Sequence, residues 1–258
     1  MIIDGDVHIS PHPGPDRIGI DEALRRMDRA GVDRALCWLQ PHYTIPEVES
    51  SNAYVHQAMT RHPDRFLGFG WANPHLGLDR AKDTIKRCLD EYGMYGIKLN
   101  GAQNAYDVDD PELAMPLIEE VAKRGKPLAL HVGSDAFERT HPFRIANVAR
   151  RFPELQLLLV HMGGAAVPDM SATVIEYARQ VPNMHLIGSC VYTTRVWKAI
   201  QVLGPKRVSY GSDTPFFFTH VEVAKYNALL DAAIQDGELS AEDKHDIMAG
   251  NLARILSL

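Results

Sequence analysis

The 258-residue sequence predicts one (β/α)8 barrel, the TIM-barrel architecture, spanning residues 1–258, and three observations carry that prediction. Apolar runs rich in Val, Ile and Leu recur eight times with amphipathic segments between them, the rhythm of a parallel sheet covered on both faces. The length suits eight such units in one domain, and no linker or low-complexity stretch divides the chain. Several runs also end in a group able to bind a metal or move a proton, as in Asp6-Val7-His8, Leu130-His131, Val160-His161 and Gly211-Ser212-Asp213. Polar groups at the ends of buried strands, spread along the whole chain, are poorly explained by packing and point to one site built from many strands.

The strands are expected at residues 1–6, 34–39, 66–71, 96–99, 127–131, 156–161, 185–189 and 208–212. Helical periodicity fills residues 21–30, 50–62, 78–92, 111–124, 143–151, 171–180 and 194–203, and then 221–235 and 241–252. Local signals agree with these edges. Asp21 and Asp110 are placed as N-caps, with Pro111 in the first helical position. Gly31, Gly93, Gly125 and Gly204 fall just past helix ends, where a left-handed residue is wanted. Ser240 and Asp243 have capping-box spacing. Residues 9–19, with Pro11, Pro13 and Pro15, form the longest expected irregular piece and should lie over the catalytic face.

Composition excludes several classes. A net charge of −6, with Lys and Arg mostly beside Asp or Glu, argues against a nucleic-acid partner, which needs a basic patch. The longest apolar runs fall short of the roughly 20 residues of a membrane span. Cys37, Cys88 and Cys190 are odd in number and far apart, so no disulfide framework is expected and a reducing compartment fits; with no signal peptide visible, a cytoplasmic location is expected.

Asp6 and His8 are two apart on a strand, so their side chains leave one face, and Asp4 is in phase a step deeper. The bland alternative is that the pair caps a strand end. His131 ends an apolar strand ahead of Gly133, and His161 ends Leu-Leu-Leu-Val ahead of Gly163-Gly164; either alone reads as a satisfied core histidine. Asp213 lies in Gly-Ser-Asp-Thr-Pro, where a turn-capping role competes with that of a buried carboxylate needing a cation. Together the five positions favour a metal site. Lys98, ending the fourth strand, could hold a substrate carboxylate, be carbamylated and bridge two metals, or pair with a nearby acid. His12, His42, His75 and His220 follow strands one, two, three and eight and could reach the site. Phe216-Phe217-Phe218 reads either as a pocket wall or as core.

These motifs in this order resemble the amidohydrolase superfamily, in the amidohydrolase-related (amidohydrolase 2) branch that includes aminocarboxymuconate semialdehyde decarboxylase. The resemblance covers the whole chain. It runs from Ile-Ile-Asp-Gly-Asp-Val-His through Met27-Asp28-Arg29-Ala30-Gly31, Pro63-Asp64-Arg65-Phe66, Gly96-Ile97-Lys98-Leu99, His161-Met162-Gly163-Gly164 and Gly211-Ser212-Asp213-Thr214-Pro215, and closes at Gly250-Asn251-Leu252-Ala253-Arg254. It implies one divalent ion, usually zinc, with Asp6, His8, His131 and Asp213 as ligands and His161 touching substrate or the activated water. It also implies a small-molecule substrate and a homodimer. Asp6 departs from the usual histidine; a second carboxylate cancels the ion's charge and admits manganese or magnesium.

The first functional reading is metal-dependent hydrolysis of a small ester, lactone or amide. Asp213 would take and return the proton, His161 would donate to the carbonyl oxygen, and Lys98 would hold a substrate carboxylate. The alternative is non-oxidative decarboxylation of a small aromatic or enoic carboxylic acid. A third reading, a barrel that binds a metabolite without catalysis, leaves the set of strand-end ligands unexplained.

Overall fold

The computed structural model describes residues 1–40, 45–133, 136–164 and 169–258. Eight strands, β1 (Ile3–Ile9), β2 (Arg34–Leu39), β3 (Phe66–Trp71), β4 (Gly96–Leu99), β5 (Leu128–His131), β6 (Leu157–Val160), β7 (Met184–Ile187) and β8 (Val208–Ser209), follow one another in a single sheet in chain order. Each pairs in parallel with the next. The helices between them are α1 (Ile20–Ala30), α2 (Ile45–Arg61), α3 (Leu78–Lys86), α4 (Met115–Ala122), α5 (Pro142–Arg151), α6 (Ser171–Gln180) and α7 (Thr193–Leu203), followed by α8 (Thr219–Gln235), α9 (Ala241–His245) and α10 (Asn251–Leu256). This is the expected barrel.

The inside is filled by Leu36, Trp38, Leu67, Phe69, Trp71, Ala129, Leu158, Val160 and Ile187, all buried, while the outer faces of the strands pack on the helices. Buried on both sides, strands such as β6 (Leu-Leu-Leu-Val) read as unbroken apolar runs, which is why their positions are legible. β8 is only two residues long, and no ladder joins it to β1. That seam closes instead through Gly5 N–H to the Tyr210 carbonyl (3.1 Å), His8 N–H to the Thr214 carbonyl (2.7 Å) and a lone bridge between Val7 and Thr214.

Several edges differ from expectation. β1 runs on through Ile9, because Val7, His8 and Ile9 pair with Cys37, Trp38 and Leu39. Gly19, not Asp21, is the N-cap of α1, and no side chain caps it. Asp110 does accept from the amides of Glu112 and Leu113, both at 2.8 Å, but the next residues form turns and α4 begins at Met115, so Pro111 precedes the helix. Residues 100–114 form a longer irregular stretch than 10–19. The glycines at 31, 93, 125 and 204 all have positive φ, and Ser240 and Asp243 form the capping box. Among the described residues no helix is long and apolar enough to cross a membrane.

His185 on β7 carries a testable stability term. Its Nε2 lies 2.8 Å from Gln156 Oε1, and its Nδ1 is buried without a hydrogen-bond partner. Burial, reinforced by Arg207 and Arg254, pushes its pKa down to about 4. A histidine held neutral in the fold contributes fully above its unfolded pKa of about 6.5, and that contribution is lost as pH falls from there towards 4. Denaturant titrations at pH 7 and pH 4.5 should show His185→Gln losing about 2 kcal/mol less stability than the parent on acidification. Equal losses would remove His185 as the source.

Candidate metal centre and active site

The centre starts from an irregularity in β1. Asp4 pairs with Ala35 and His8 with Trp38, so four steps along β1 match three along β2, and a bulge lies between Asp4 and Val7. A bulge of one residue reverses the alternation of side chains. Asp6 and His8 share a face as expected, but Asp4 does not share it, which corrects the simple alternation read from the sequence.

Asp6 is completely buried, and His8, His131, His161 and Asp213 are each under a tenth exposed. His8 Nε2 stands 3.5 Å from Asp6 Oδ1 and 3.5 Å from Asp213 Oδ1. Its Nδ1 lies 2.9 Å from the Leu39 carbonyl, an acceptor only, so the ring proton sits on Nδ1. That leaves Nε2 as the acceptor: Trp38 Nε1 donates to its lone pair at 3.1 Å, and the two acids lie alongside. Burial and the charge of Lys98 oppose protonation of this ring, yet Asp213 and Asp6 together carry its pKa above the ordinary value.

Ser189 ties the opposite side. Its hydroxyl donates to Asp6 Oδ2 at 2.6 Å, so it must accept from His161 Nδ1 at 3.0 Å. Burial pushes His161 down to about 4 despite Asp213 and Asp6, leaving a neutral ring with an available Nε2. The His131 ring meets that of His161 edge to face, centroids 4.8 Å apart. His161 and Asp213 both lie just beyond their strands with left-handed backbones, φ 70° and 58°. Such strain costs on the order of 1–3 kcal/mol per residue and is typical of functional positions.

Lys98 is buried, its Nζ 3.9 Å from Asp6 Oδ1 and 3.7 Å from the centre of the Trp38 ring. Burial alone would raise the Asp6 carboxyl, but Lys98 and the two histidines hold it well below the usual carboxylate range. The three phenylalanines at 216–218 are exposed rather than core, and Phe216 packs edge-on against the His8 ring. His12 and His75 are exposed, His220 packs against Phe218, and His42 lies outside the described residues.

These groups suit a divalent cation. Asp6, His161 and Asp213 each offer a ligand atom, all within 4.8 Å of one another. Asp6 Oδ1 is fully buried and accepts no hydrogen bond; Lys98 Nζ at 3.9 Å and His8 Nε2 at 3.5 Å are its charged and polar neighbours, which leaves it able to ligate a cation. His8 Nε2 stands beside both Asp6 and Asp213 and can ligate a cation once the Trp38 N–H gives up its lone pair. The structure thus brings together Asp6, His8, His161 and Asp213, with His131 against His161. Sequence reasoning missed Ser189 and Trp38. Ser189 follows β7 as His161 follows β6, so the same strand-end rule would have found it. Ser189→Ala should weaken divalent-cation affinity about 10–100-fold, the usual cost of losing a group that orients ligands; calorimetry showing unchanged affinity would remove it from the centre.

Eight parallel strands with ionisable groups gathered at their carboxyl ends define a TIM-barrel enzyme with a candidate metal centre. The chain belongs to the amidohydrolase family, whose model matches residues 3–258. The 2-amino-3-carboxymuconate-6-semialdehyde decarboxylase of Dictyostelium discoideum is 25% identical over 256 residues, covering 86% of this chain and 69% of that protein. The 2,6-dihydroxybenzoate decarboxylase from Rhizobium is 21% identical, with a TM-score of 0.78 over 99% of this chain and 98% of that one. A dihydroxybenzoic acid decarboxylase from a Polaromonas species, solved with bound manganese and an inhibitor, 2-nitroresorcinol, is 19% identical, with a TM-score of 0.74 over 100% and 97%. These relatives correct the first functional reading: they are decarboxylases, not hydrolases of esters, lactones or amides.

Proposed function

We propose that the chain is a metal-dependent carboxy-lyase acting on a small aromatic or enoic carboxylic acid. The observation that carries this reading is the pair of buried carboxylates, Asp6 and Asp213, facing one imidazole nitrogen. Two carboxylates formally cancel a divalent charge, which weakens activation of bound water and suits an ion whose task is to bind substrate oxygens. The decarboxylases among the relatives point the same way.

Asp6, His8, Asp213 and the His131–His161 pair would hold the ion. With two carboxylates beside the imidazoles this mixed oxygen and nitrogen set suits manganese, the ion bound in a related decarboxylase structure. Once bound, the ion supplies a Lewis acid that orients the substrate and stabilises negative charge as the carbon–carboxyl bond breaks. CO2 leaves without the bonding electron pair, and the carbon that retains the pair takes a proton that Asp213, ionised at rest, first accepts from the substrate or solvent and then passes on, which returns it to the carboxylate. Asp213 suits this role because it is 6% exposed at the mouth, whereas Asp6 is sealed at 0%. Lys98 keeps Asp6 ionised beneath the substrate.

The test is CO2 trapping with the manganese-loaded protein on a panel of hydroxybenzoates, enoic acids, esters and lactones. Evolved CO2 with a decarboxylated product is expected. Release of acid from an ester or lactone, with no gas from any substrate, would overturn the reading.

A further inference from the structure

The seam between β8 and β1 is where the two acidic ligands come from, and it is the one place where consecutive strands lack a ladder. Asp4 stands at this seam. It is 0% exposed and leaves the opposite face of β1 from Asp6 because of the bulge. Its Oδ1 accepts two backbone amides, Ser212 N–H at 2.8 Å and Asp6 N–H at 3.1 Å. One of these belongs to Asp6 itself and the other to the residue preceding Asp213. A single oxygen therefore joins segments 208 positions apart at the two points from which the acids project. The next link is also tight: a methyl group on Gly5 would lie 2.8 Å from the Tyr210 carbonyl oxygen.

We propose that Asp4 is a positioning residue that fixes the distance between Asp6 and Asp213, its carboxylate taking the place of the missing β8–β1 ladder. This rests on the reading of Asp6 and Asp213 as cation ligands. A carboxylate can act here by the placement of an acceptor or by its charge, and the geometry assigns the first. Both backbone hydrogen bonds fall on Oδ1, the Ser212 side chain adds a further contact, and Oδ2 has no hydrogen-bond partner among the described residues. An asparagine can present its oxygen to the same two amides. A glutamate keeps the charge but carries the acceptor one methylene away.

The experiment is Mn²⁺ binding by calorimetry to the full-length protein and to Asp4→Asn, Asp4→Glu and Asp4→Ala, with thermal unfolding as a check on folding. Asp4→Asn should bind within about 3-fold of the parent, and Asp4→Glu and Asp4→Ala about 10–100-fold more weakly. A purely structural role would lower the unfolding temperature of the last two without changing the affinity of the folded protein. Parent-like affinity in a folded Asp4→Glu or Asp4→Ala overturns the proposal. So does a weakened Asp4→Asn, because charge would then be what matters; if the other two fail to fold, a folded Asp4→Ser, whose shorter side chain withdraws the acceptor, decides in their place, and parent-like affinity in it overturns the proposal. A parent protein that binds no Mn²⁺ overturns the cation reading instead.

Discussion

Asp213→Asn is expected to lower turnover by about 10³-fold or more while the protein stays folded. The exchange removes one anionic ligand and the proposed proton carrier together, and acid–base catalysis alone is worth about 10²–10⁴. The fold should tolerate it for a specific reason. Asp213 has a left-handed backbone at φ 58°, and asparagine is among the few residues that occupy that region readily. The side chain is isosteric and still able to face His8 at the 3.5 Å separation seen for the carboxylate. Steady-state turnover and the thermal midpoint should be measured together. A variant as active as the parent would remove Asp213 from both roles. One that does not fold would show that its charge also holds the seam.

Stripping the metal should abolish turnover, and adding Mn²⁺ back should restore it. Stability gives an independent reading. An ion that binds only the native state at 100 times its Kd stabilises by about 2.7 kcal/mol. For a chain of this size that raises the melting temperature by roughly 5–10 °C. His8→Ala removes the nitrogen that stands 3.5 Å from each acid and should eliminate most of the shift. A melting temperature that ignores Mn²⁺, with activity surviving a strong chelator, would leave the carboxylates without their assigned purpose.

The bulk of the barrel was legible in the sequence because its determinants are local. Leu157–Val160 is an unbroken apolar run that reads as a strand buried on both faces, and the observed β6 keeps this run while ending one residue short of the expected 156–161 on each side. The capping box at Ser240 and the left-handed glycines were equally readable, since each depends on residues a few positions apart. Edges were less so. Asp110 caps its local turn as its chemistry requires, yet whether a helix starts at once was decided by how the 100–114 segment packs over the barrel, which no short motif encodes.

By itself the sequence determined the fold class, the order of strands and which strand ends carry ionisable groups, because burial periodicity and residue chemistry are written position by position. Only the tertiary structure decided how those groups meet. The bulge that turns Asp4 away from Asp6, the Ser189 hydroxyl that reaches Asp6 across 183 positions and the placement of Lys98 beside Asp6 all depend on closing the barrel. The physical reason is range. Strand propensity acts over a few residues, whereas a metal centre is set to within an ångström or so by contacts between segments that adjoin only after the first strand docks against the last.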